Sequence, residues 1–89
     1  MYPTYTHGEI LLARKLRKDE KLIDGKVYVF YPPYNDDPDY YVIKRLFKHN
    51  NQGLFFVGDN LRDSYDSRRY GYVKRDTVKY VLVHSRRKI

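Results

Sequence analysis

At 89 residues, with 42% hydrophobic and 33% charged residues, the chain reads as one soluble domain near the lower limit for a single core. It has no cysteine, which excludes disulfides and thiolate metal sites, and no apolar run approaches the roughly 20 residues that span a bilayer. The net charge of +7 favours anionic partners, nucleic acid or an acidic membrane surface, without choosing between them.

Residues 1 to 9 carry Pro3 and Gly8 and lack periodicity, so they read as an extended lead-in ending in a turn. Ile10 to Leu16 is expected as a short strand, although its apolar residues would also suit a helix. Arg17 to Lys21 is a charged connection. Gly25 to Tyr31 is a clear strand, with Val27, Val29 and Tyr31 on one face and Tyr28 and Phe30 on the other, closed by Pro32-Pro33. Tyr34 to Asp39, with three aspartates, is an exposed loop.

Tyr40 to Phe47 alternates as the next strand. Tyr40, Val42, Lys44 and Leu46 share one face, which sets Lys44 in an apolar row. Such a lysine commonly runs its stem along the sheet to reach water; the functional alternative is a desolvated amine whose pKa falls until it serves as a base. Lys48 to Gly53 is expected as a hairpin turn, Leu54 to Val57 as its return strand, and Tyr72-Val73 and Thr77 to Val83 as further strand material before a basic tail. The eleven tyrosines are read mainly as sheet residues with wet hydroxyl ends. The sum is an all-β fold, a small barrel-like or coiled β-sheet domain of five to six short strands spanning residues 1 to 89.

Between the last strands lies a polar run, Gly58 to Gly71, dense in residues that bind one another. Asp59 and Asn60 are turn formers, and Ser64, Asp66, Ser67 and Arg68 can close a network of hydrogen bonds and an ion pair. A serine hydroxyl and a neutral lysine amine suffice for nucleophilic chemistry, and Ser64 and Ser67 both lie in the loop that the Lys44 hairpin leads into. His7, His49 and His84 have no partner at metal spacing and read as solvent-facing, so no metal is expected.

Four segments, in order, resemble the conserved boxes of the type I signal peptidase family of serine proteases. Gly58-Asp59-Asn60, followed by Ser64-x-Asp66-Ser67-Arg68-x-x-Gly71, looks like its C-terminal box, and Tyr41-Val42-Ile43-Lys44-Arg45 like its Lys-Arg box. Met1-Tyr2-Pro3-Thr4 with Gly8-Glu9 resembles the Ser-Met-x-Pro-Thr…Gly-Asp box, and Gly25 to Phe30 the strand that follows it. The resemblance covers Met1 to about Val73 and is closest to short members, such as the maturation proteases of nickel superoxide dismutase.

The resemblance implies Lys44 as general base, Ser64 as the residue orienting its amine, and an Asp66–Arg68 pair bracing the loop. It implies Asp59, Asn60 and Ser67 in the supporting network, and Met1 and Pro3 lining a cleft for an extended peptide or preprotein. It implies no cofactor, cleavage after small residues, and a membrane-associated, extracytoplasmic setting. Glu9 and Lys26 stand where the family has aspartates. The family's nucleophilic serine immediately precedes the Met of its box, so these 89 residues are expected to hold base and brace without nucleophile, as a trimmed peptidase or as a serine-less relative that binds a peptide or partner protease. A basic β-barrel binding single-stranded nucleic acid is the competing class; its cations are spread over several segments and no stacking motif stands out, which argues against it.

Overall fold

A computed structural model describes residues 11–60, 62 and 65–85, which form one open sheet of five antiparallel strands. The strands are β1 (Leu11–Lys15), β2 (Val27–Phe30), β3 (Val42–Asn50), β4 (Gly53–Val57) and β5 (Val78–Ser85), in spatial order β1-β5-β2-β3-β4. A single helical turn, α1 (Ser67–Tyr70), and a 3-10 turn (Arg75–Thr77) lie between β4 and β5. The all-β expectation holds, with the sheet open rather than closed. Register shifts at Leu12/Ala13, Val29/Phe30 and Leu46/Lys48 are bulges, which raise local twist.

One face of the sheet carries the core. Tyr28, Phe30, Leu46, Phe56 and Val81 from four strands pack with Leu16, Leu22 and Val73 from the connections. Phe30 stacks on Phe56 at 4.2 Å between ring centroids, and Tyr28 meets Phe56 edge-on at 6.2 Å. Each such side chain contributes about 1.5–3 kcal/mol by burial. The Tyr28 hydroxyl, deep in this core, accepts a hydrogen bond from the Ile23 N–H at 2.9 Å.

Several boundaries differ from the sequence reading. β1 is a strand and the helical option is gone, because pairing with β5 satisfies its backbone. β3 starts at Val42 rather than Tyr40 and runs through Lys48, His49 and Asn50, leaving a turn of only Asn51 and Gln52. The bulge at Phe47 allows this: the extra residue lets Lys48 and His49 pair with Phe55 and Leu54. Tyr72-Val73 makes a single bridge to Leu54 rather than a strand. Gly53, at φ +129°, lies so close to that bridge that a Cβ there would stand 2.7 Å from the Val73 carbonyl oxygen.

Candidate active site

β4 is an edge strand, and its outer edge is where the polar run folds back. Its alternate N–H groups are each bonded: Leu54 donates to the Val73 carbonyl at 2.9 Å, Phe56 to Ser67 Oγ at 2.9 Å, and Gly58 to Asp66 Oδ2 at 2.8 Å. An exposed edge invites pairing with another chain; here two side chains and a bridge cover it. The run Gly58 to Gly71, expected as loop throughout, contains α1 because Asp66 caps it, accepting from the Arg68 N–H at 3.1 Å.

Asp66 is fully buried and is the hub of this arrangement. Besides the N–H groups of Gly58 and Arg68, its carboxylate accepts from Arg68 Nε and Nη2, both at 2.9 Å. The pair is one a buried carboxylate needs, since charge taken out of water must be matched by charge and hydrogen bonds. Ser67, also buried, supports the strand backbone through Oγ. At the start of the run, Asp59 receives Arg45 Nε at 3.0 Å and Nη2 at 2.9 Å, while Arg45 Nη1 donates to the Gly25 carbonyl at 2.8 Å. Asn60 follows, half-buried.

Lys44 lies on β3 between Val42, which packs against the core, and buried Leu46, opposite Tyr28 of β2. It is half-buried, and its pKa is lowered from the ordinary 10.5, chiefly by desolvation. The Asp66 carboxylate opposes that shift and the Arg68 guanidinium adds to it, which puts all three within electrostatic reach. β3 and the Asp66–Arg68 pair thus bring a partly desolvated amine and the polar run together. Val42 to Lys44 pair with β2 on one side, whereas β4 joins β3 only from Arg45 onward.

Ser64, Met1 and Pro3, to which the resemblance gives an orienting and a cleft role, lie outside the described residues. Arg45 carried no role in the sequence reading, yet it ties the polar run to β3 and to the turn before β2. The available signal was its place on the face opposite Lys44, with Asp59 as the nearest carboxylate in the bracing run. A tyrosine cluster was missed as well. Tyr34 packs with Tyr65 at 4.9 Å and with Tyr70 at 5.5 Å, and Tyr65 meets Tyr70 at 5.5 Å. Burial pushes Tyr34 up to about 12 and raises Tyr70 further, and the Tyr70 hydroxyl is buried with no hydrogen-bond partner among the described residues. Wet hydroxyls, expected of the tyrosines in general, do not describe this one.

His49 is a strand residue rather than a turn residue, with Nδ1 2.6 Å from Asp24 Oδ1. No group of three or more His, Asp or Glu suited to a metal occurs among the described residues. No helix among them is long and apolar enough to cross a membrane. Comparison of the chain with protein-family models, curated proteins and solved structures gives no match.

Proposed function

We propose that this chain carries the general-base half of a Ser/Lys endopeptidase site of the signal peptidase type. The observation that carries the reading is Lys44: a strand lysine, half-buried, with lowered pKa, within electrostatic reach of buried Asp66 and its ion-pair partner Arg68. A neutral amine can take the proton of a serine hydroxyl as that oxygen attacks a peptide carbonyl. The resulting ammonium then returns the proton to the leaving amine, and water releases the acyl group by the same route. The resemblance places the serine immediately before Met1 and has Ser64 orient the amine. In this reading an extended substrate adds as a strand beside the base, here a preprotein segment with small residues at the cleavage point.

The test compares hydrolysis of an Ala-x-Ala reporter peptide by the 89-residue chain, by a chain extended with a serine before Met1, and by the extended chain carrying Lys44→Ala. Cleavage by the extended chain is expected, falling about ten-thousand-fold or more with Lys44→Ala. Equal cleavage with and without Lys44 would overturn the assignment of the base. A folded extended chain that cleaves nothing would favour the serine-less binding relative.

A further inference from the structure

At the far edge of the sheet, β1 and β5 bring together cations that are distant in sequence. Lys15 pairs in register with Tyr80, and the Leu16 N–H donates to the Lys79 carbonyl at 2.9 Å. Arg75, from the 3-10 turn, reaches across and donates through Nη2 to the carbonyls of Arg17 at 3.0 Å and Glu20 at 3.1 Å. The result is a groove of about 540 Å³ lined by Lys15, Arg17, Lys18, Arg75 and Lys79, with Asp76 the one acid among its lining residues. Buried Leu16 and Val78 complete it. Glu20 stands beside it, 3.8 Å from Arg17 Nε, but Arg14 holds it through both carboxylate oxygens. With Asp19 in the adjacent turn, six cations face three carboxylates, so the edge stays positive.

An exposed aromatic group adjoins the groove. Lys79 Nζ lies 5.9 Å from the centre of the Tyr31 ring, Tyr31 stacks on Tyr41 at 4.9 Å, and Tyr41 meets Tyr80 edge-on at 6.4 Å. Tyr41 and Tyr80 are both exposed. Cations beside aromatic rings suit single-stranded nucleic acid or a lipid surface. Stacking of bases needs free ring faces, however, and these rings are engaged with one another and with Lys79. The cations also converge in one short groove rather than tracking along a backbone. Amphipathic tyrosines beside clustered lysine and arginine match the interface of an acidic membrane.

We propose that this groove binds the phosphates of acidic phospholipid headgroups, seating the β1–β5 edge on an anionic membrane surface. The inference stands apart from the peptidase reading: β5 and β2 separate β1 from the strand of Lys44, and the readout is binding, not cleavage. The test is co-sedimentation of the 89-residue chain with vesicles of phosphatidylcholine alone and of phosphatidylcholine mixed with phosphatidylglycerol. Binding is expected only to the mixed vesicles, weakening with added salt.

Lys15→Gln with Lys18→Gln should weaken that binding roughly thirty-fold, since each basic residue near the surface contributes about a factor of five. Lys26→Gln with Lys48→Gln removes the same charge outside the groove and should cost far less. All four residues are exposed, so folding is preserved and is verified by circular dichroism. Equal losses from the two pairs would overturn the groove as the site. Displacement by soluble glycerol phosphate at matched phosphate concentration would overturn the lipid as the source. Tighter binding to a single-stranded oligonucleotide than to mixed vesicles, lost with the groove pair, would assign the groove to nucleic acid instead.

Discussion

At the scale of single residues, Lys44 and Asp66 owe their states to their surroundings. Lys44 is held below the ordinary lysine value by burial, and the nearby carboxylate and guanidinium push in opposite directions. Replacing Arg68 with Gln removes the charge that lowers Lys44 and leaves the Asp66 charge unbalanced, so the Lys44 pKa should move up. NMR titration of the Lys44 side chain checks the direction without requiring activity, and a downward move would contradict the arrangement. Asp66→Ala should destabilise the domain by about 1–3 kcal/mol in urea unfolding, because it leaves the buried Gly58 N–H without its acceptor and removes the cap of α1. Glu20 offers a pH test. Hydrogen bonding from Arg14 depresses its pKa from 4.5 to about 2, so its contribution is present above about 4.5 and is lost as pH falls toward 2. Thermal melts of the native chain and Glu20→Gln should therefore converge over that acid window.

At the scale of elements, the polar run is an edge cap as much as a loop. Ser67→Ala leaves the buried Phe56 N–H unsatisfied and should cost about 1–3 kcal/mol, read as a lower urea midpoint at unchanged slope. Gly53→Ala should cost at least as much. Its positive φ strains any side chain, and the added Cβ would collide with the backbone carbonyl of Val73, opening the bridge that covers β4. Amide exchange of the Leu54 N–H, slow in the native chain, should accelerate in that variant. The strands themselves were legible where alternation was strong, as in residues 25–31. The ends of β3 were not, because polar Lys48, His49 and Asn50 read as turn residues until a bulge and a facing strand gave them partners.

At the scale of the whole molecule, the open sheet has two differently finished edges. The β4 edge is closed by the Asp66–Ser67 cap and lies next to β3, where the proposed base and its substrate would sit. The β1 edge collects cations. A substrate added at the first and a lipid surface at the second would act two strands apart in the sheet. Lys44→Ala should therefore leave vesicle binding unchanged, and the groove pair should leave peptide cleavage by the extended chain unchanged with a soluble reporter. Coupled losses in both assays would show that the two edges do not act independently.

Taken alone, the sequence determined the all-β class, most strand positions and the pairing of Asp66 with Arg68, because alternation, turn residues and short-range charge are local properties of the chain. It also singled out Lys44, since a charge in an apolar row is visible without a fold. Tertiary structure alone decided that Asp66 is fully buried, that Ser67 and Asp66 cap an edge strand, that Arg45 grips Asp59, and that residues as far apart as Arg17 and Arg75 share one groove. Those depend on which strands become neighbours, and neighbourhood across a sheet is set by the packing of its apolar face, not by spacing along the chain.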